Sequence, residues 1–274
     1  MDELASYLHE RRKEKGYLFI PYLLLGDPSY EQSLEIADKL LSLGADSLEL
    51  GLPFSDPAAD GVVLQRAFRR VLAQGFHWQD VLVFLRKLRA RYPQRYFLVM
   101  GYANLLYQHG FLRLFEELYS LGVRGVVVPD IPLEEKERIR RSYGLGSYRD
   151  KVAWIDFVTP TTTPERLNKI LMQARGFLYI VSYKGTTGSR NVSFDEVRKA
   201  LKGLRAMTKL PLIVGFGIRQ REHIVGLLPY ADGFIIGSRI HEIIEENISR
   251  QGDLVAKIGE EISQILPPKE LLSV

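Results

Sequence analysis

The 274-residue chain contains no cysteine. That excludes disulfides, thiolate metal sites and a cysteine nucleophile. Histidine is scarce, and the five present (His9, His77, His109, His223 and His241) show no paired ligand spacing. A zinc-type centre is therefore not expected, and all five read as surface residues in or beside helices. Long apolar runs are missing too. The greasiest stretch, 17–25, is interrupted by Pro21 and falls far short of the roughly 20 residues that a spanning helix needs. Residues 1–15 are charged and carry no apolar core of the kind that a secretory signal has. Neither sign of charge dominates, with 37 basic against 33 acidic residues and a net charge of +4. The short clusters Arg11-Arg12-Lys13 and Arg138-Ile139-Arg140-Arg141 adjoin glutamates, which suits solvated helix faces better than a nucleic-acid track. No repeat, low-complexity tract or linker divides the chain. The expectation is one cytoplasmic domain over 1–274, with no nucleic-acid or membrane partner.

What is present is a rhythm. Short runs rich in β-branched and aromatic residues occur at 17–25, 46–51, 96–100, 125–128, 152–158, 177–182, 211–215 and 233–236. Amphipathic segments separate them, such as Leu34, Ile36, Ala37, Leu40 and Leu41 at helical spacing. Strands joined through helices pair in parallel. Eight such units over this length predict a closed (β/α)8 TIM barrel rather than an open doubly wound sheet. Surplus helical patterns are expected before the first strand (2–14), after the second strand (62–74 and 78–91) and near the C-terminus (240–266).

In a barrel the chemistry lies on loops that follow the strands. The second strand reads Ser47-Leu48-Glu49-Leu50-Gly51. Alternation puts Leu48 and Leu50 against the helices and turns Glu49 inward. A carboxyl buried there has its pKa raised toward a range useful for proton transfer, although a structural ion pair fits the same pattern. The next loop, 51–61, carries Asp56 and Asp60 within reach of the mouth. Two carboxyls in unlike environments suit acid–base chemistry, but Asp60 also stands where a cap of the following helix would. Tyr179 and Tyr102 read equally well as core aromatics. Three glycine-bearing turns follow the last three strands: 185–189, Gly215-Phe216-Gly217 and Gly237-Ser238. Together they suit a phosphate-bearing ligand, because glycine lets backbone N–H groups approach an anion and a helix start adds partial positive charge. They do not form a dinucleotide fingerprint.

These residues resemble a known family. The stretch from Glu49 to Gly61 (ELGLPFSDPAADG) is similar to the signature of the tryptophan synthase alpha chains. Leu25-Gly26-Asp27-Pro28, Tyr102-Ala103-Asn104, Pro129-Asp130-Ile131-Pro132, Tyr179-Ile180-Val181-Ser182, Gly185-Thr186-Thr187-Gly188 and Gly215-Phe216-Gly217-Ile218 fit in the same order.

The resemblance implies reversible retro-aldol cleavage of indole-3-glycerol phosphate to indole and glyceraldehyde 3-phosphate. It makes Glu49 the acid–base group, Asp60 the partner of the indole N–H, and Tyr179 a support for Glu49. It places Tyr22, Tyr102, Val127, Pro129 and Phe157 around the indole. Gly188, Gly217, Gly237 and Ser238 fall at the phosphate, with Phe216 beside them, and Thr187 lies in a mobile lid. It further implies a beta-chain partner in an alpha2-beta2 assembly, faced by Asn104 and the 53–60 loop. Pyridoxal phosphate is expected in that partner, and no cofactor or metal in this chain. The sequence departs from the family pattern at Leu24, Val62, Tyr183-Lys184 and Thr186. A catalytically weak subunit that mainly activates the beta chain is the alternative, and a related barrel acting on another phosphate is a third.

Overall fold

The computed structural model describes residues 1–159, 161–181, 194–215, 217–248 and 252–268. Its strands are β1 (Leu18–Leu24), β2 (Glu49–Gly51), β3 (Phe97–Met100), β4 (Val123–Val127), β5 (Ala153–Trp154), β6 (Asp156–Val158), β7 (Leu178–Val181), β8 (Leu212–Gly215) and β9 (Gly233–Ile236). The helices are α1 (Glu3–Lys15), α2 (Tyr30–Ser42), α3 (Val62–Ala73), α4 (Trp78–Arg91), α5 (Ala103–His109), α6 (Phe111–Ser120), α7 (Leu133–Ser142), α8 (Pro164–Gln173), α9 (Phe194–Met207), α10 (Arg221–Val225), α11 (Ser238–Asn247) and α12 (Leu254–Ile265).

All strand pairs are parallel, in the order β5-β4-β3-β2-β1-β9-β8-β7-β6. The two outermost, β5 and β6, are halves of one segment, so the sheet closes on itself as the expected eight-unit barrel. The single strand expected at 152–158 breaks at Ile155. Its N–H still bonds Val126 O of β4 at 2.9 Å, but its carbonyl accepts from the Lys136 ammonium at 2.6 Å. The chain changes partner there, from β4 to β7. The regular part of β2 is also shorter than expected, because Asp46 and Ser47 bond with their side chains. Asp46 accepts from the Phe19 N–H at 2.8 Å, and Ser47 Oγ donates to Tyr96 O at 2.8 Å.

Side-chain alternation sorts the apolar residues into two cores. Leu48, Leu50, Val99, Val126 and Val214 pack outward under the helices. Leu18, Ile20, Leu98, Phe177 and Ile213 fill the barrel itself. Helix α1 plugs the N-terminal end, sending Leu4 and Leu8 into the inner core. It is fixed by Asp2, whose carboxylate accepts from Ala5 N at 2.9 Å and from Gly176 N across the barrel at 3.0 Å. The open end is therefore the one at the C-terminal ends of the strands, as a TIM barrel requires.

The surplus helices expected before β1, between β2 and β3 and near the C-terminus are all present. One more pair, α5 and α6, was not expected. Gly110, at φ 77°, both ends α5 and starts α6, a left-handed backbone turn that suits glycine.

Candidate active site

At the open end lies a concave pocket, walled by residues from several strand ends. Of the predicted site residues, Tyr22, Glu49, Asp60, Val127, Pro129, Phe157, Tyr179, Gly217, Gly237 and Ser238 line it. Thr187, Gly188 and Phe216, together with the Tyr183-Lys184 and Thr186 departures, lie outside the described residues.

Glu49 faces inward from β2 and is 2% exposed. Burial pushes its carboxyl up to about 8, and the neighbouring charge of Asp60 adds to the rise. The Tyr179 hydroxyl, which hydrogen-bonds the carboxylate, opposes it. Glu49 Oε2 has no hydrogen-bond partner among the described residues. Tyr179 in turn lies against Gly215, where any Cβ would collide with its ring. Glycine at 215 is thus needed for close approach, beside whatever it offers an anion.

Asp60 is not a helix cap. The residue that precedes α3 is Gly61, which makes no side-chain cap. The Asp60 carboxylate instead accepts from the Tyr102 hydroxyl at 2.6 Å. Burial raises its pKa to about 6 and the Tyr102 bond restrains the rise. Tyr102, expected around the ligand, is not among the cavity-lining residues. It stands behind Asp60, also accepts from Ala59 N at 3.1 Å and stacks on Phe54 at 5.1 Å. Its hydroxyl thus joins the Asp60 carboxylate to the Ala59 N–H within the same loop. Asp56, in the same loop, is exposed, and Asp130 accepts from the Ala103 N–H at 3.0 Å, at the start of α5.

Gly237, which precedes α11 and makes no side-chain cap, and Ser238, the first residue of that helix, line the cavity together with Gly217. Leu64, Met100 and Ile235 complete the apolar wall. Sequence reasoning passed over them, although inward parity with Leu98 and with Gly233 would have found Met100 and Ile235.

The expectation that every histidine is at the surface fails at His241, which is fully buried. Its Nε2 accepts from the Leu24 N–H at 3.1 Å, which leaves the proton on Nδ1 to be donated to Asp27 at 2.6 Å. Asp27 also takes both arms of Arg70 at 3.0 Å. Burial pushes the Asp27 carboxyl up, but His241 and Arg70 outweigh it and hold the pKa below the usual carboxylate range. The cluster ties the end of β1 to α3, which follows the Asp60 loop, and to α11, whose first residue lines the cavity. No spacing in the sequence joins residues 27, 70 and 241. Among the described residues, no group of three or more His, Asp or Glu side chains could hold a metal ion.

A closed parallel barrel with two buried, unequal carboxyls in a pocket at its mouth, beside glycines at the ends of its last strands, has the form of an acid–base barrel enzyme. Residues 8–266 match the family model for tryptophan synthase alpha chains. The chain is 38% identical to the tryptophan synthase alpha chain of Chloroflexus aurantiacus over 89% of its own length and 91% of that protein's. It is 37% identical to that of Legionella pneumophila over 93% of each. Among solved structures, the alpha subunit from Legionella pneumophila superimposes with a TM-score of 0.86 at 31% identity, covering 99% and 98% of the two chains. A Mycobacterium tuberculosis tryptophan synthase structure gives 0.82 at 28% identity, over 97% and 99%. The chain belongs to the tryptophan synthase alpha chain family.

Proposed function

We propose that this chain cleaves indole-3-glycerol phosphate to indole and glyceraldehyde 3-phosphate, with Glu49 moving the protons and Asp60 holding the indole N–H. It is a carbon–carbon lyase of tryptophan biosynthesis. The observation that carries the residue assignment is the inequality of the two carboxyls: Glu49 at about 8 and Asp60 at about 6. Near neutral pH Glu49 holds a proton while Asp60 is largely ionised, which matches an acid beside an anion.

Protonated Glu49 gives its proton to indole C3, leaving an indolenine cation. The resulting carboxylate takes the proton of the chain hydroxyl on the carbon attached to C3. The bond between C3 and that carbon breaks, its electron pair restores the indole, and the carbon becomes the aldehyde. Glu49 ends protonated, as it began. Asp60 accepts a hydrogen bond from the indole N–H, whose positive charge is greatest near the transition state, so the interaction favours rate over mere binding. Tyr179 orients Glu49. Val127, Pro129 and Phe157 supply flat apolar walls, and Gly217, Gly237 and Ser238 take the phosphate. No step draws on a cofactor held by this chain.

A beta chain is the partner, in an alpha2-beta2 assembly approached through Asn104 and the 53–60 loop, and the cytoplasm is the compartment. Among the described residues, no helix is long and apolar enough to cross a membrane. The test is indole release from indole-3-glycerol phosphate, by the chain alone and with a tryptophan synthase beta chain. Turnover in either case is expected. No indole in either, with beta-chain activity still enhanced, leaves the activator reading instead.

A further inference from the structure

Tyr22 ends in an atom that the fold leaves unused. Its hydroxyl is buried, and it has no hydrogen-bond partner among the described residues. The residue is 5% exposed and lines the cavity. Its surroundings fix its direction. At the near end, its Cβ and Cδ1 lie 3.1 and 3.2 Å from where a Cβ on Gly237 would stand. At the far end, the hydroxyl sits over Gly51, so close that any Cβ there would collide with it. Tyr22 is also the in-register neighbour of Glu49 across β1 and β2. The ring therefore runs from the start of α11, where the phosphate is placed, to the two carboxyls. Burial and the charges of Asp60 and Glu49 keep the phenol protonated, so it is a donor.

A buried hydroxyl without a partner is costly, and a phenylalanine of the same shape would avoid that cost. The hydroxyl is explained if the ligand satisfies it. The polar groups of indole-3-glycerol phosphate are few. Its N–H is itself a donor and goes to Asp60, and the phosphate lies at the other end of the Tyr22 ring. Only the hydroxyls of the glycerol chain remain along the path. We infer that Tyr22 is a substrate-binding residue whose hydroxyl hydrogen-bonds a glycerol-chain hydroxyl beside Glu49, so that the site reads the chain as well as the indole and the phosphate. The inference rests on the proposed placement of the substrate between Glu49, Asp60 and the α11 terminus.

The test pairs Tyr22→Phe with two ligands, in the full chain alone and with a beta chain. One ligand is indole-3-glycerol phosphate; the other is indole-3-propanol phosphate, which has the same ends but lacks both chain hydroxyls. For Tyr22→Phe, kcat/KM on the substrate falls about ten- to a hundredfold. Its Kd for the deoxy analogue stays within about twofold of that of the unaltered chain, because no chain hydroxyl is there to lose its partner. Thermal stability holds or rises, since no described protein group loses a bond. An unchanged kcat/KM overturns the inference, and so does an equal loss of affinity for both ligands. Failure of the placement itself looks different: the unaltered chain then neither turns over the substrate nor binds the deoxy analogue.

Discussion

Replacing Glu49 by glutamine should make the protein more stable while it destroys the activity, and the size of the effect follows from the site. Glu49 has an ordinary value of 4.5 and is raised to about 8 by burial and by Asp60. A carboxyl raised in this way favours folding most at low pH. Below 4.5 both states are protonated and Glu49 is neutral to the balance. As pH rises toward 8 the unfolded chain ionises while the folded one does not. Folding therefore loses about 1.4 kcal/mol per pH unit over that window. At pH 7 the burden reaches about 3 kcal/mol, and above pH 8 it levels off. Glutamine cannot ionise and escapes it. Urea unfolding of Glu49→Gln and of the unaltered chain, followed by tryptophan fluorescence and repeated from pH 5 to 8, gives the difference. The variant's advantage should grow by about 3–4 kcal/mol across that range. Titration of the other groups is common to both proteins and cancels. A difference that stays flat with pH, or that shrinks, refutes the claim that the fold holds this carboxyl protonated.

Asp60→Asn removes the anion that faces the indole N–H and should lower kcat by about 10²–10³-fold. It should also shift the Glu49 midpoint in the pH–rate profile downward, because the charge of Asp60 helps to raise Glu49; an unmoved midpoint refutes that coupling. His241→Leu strips the Leu24 N–H of its acceptor and Asp27 of a donor in a fully buried setting. Urea unfolding should show a loss of about 1–3 kcal/mol, and an unchanged midpoint means that the cluster is not structural. Val62 is the exposed first residue of α3, after a Gly61 in extended conformation, so proline fits there. Val62→Pro should gain about 0.4–1 kcal/mol in the same assay, and a loss shows that the loop needs the freedom.

The sequence by itself determined the barrel and the inward direction of Glu49. Both follow from local periodicity, which every strand keeps except β4, whose register against β3 shifts between Val123 and Gly125. That Gly217 and Gly237-Ser238 would reach the mouth was legible because they follow strand ends, where a barrel opens. The tertiary structure alone decided which partners the acids meet. Asp60 could have capped α3, and only the packing of Tyr102 from β3's far end against the 53–60 loop turned its carboxylate into the cavity. The bond from Tyr102 to Asp60 has no trace in the sequence, since the two residues lie 42 apart in the chain. His241 looked like one more helix-surface residue, since nothing in its neighbourhood along the chain records that Asp27 and Leu24 fold against it. The break at Ile155 had no local signal either, because the Lys136 ammonium that captures its carbonyl comes from another helix. Periodicity fixes which way a side chain points. Which partner waits there depends on residues far away in the chain, and that partner decides whether a carboxyl is a cap, an ion pair or an acid.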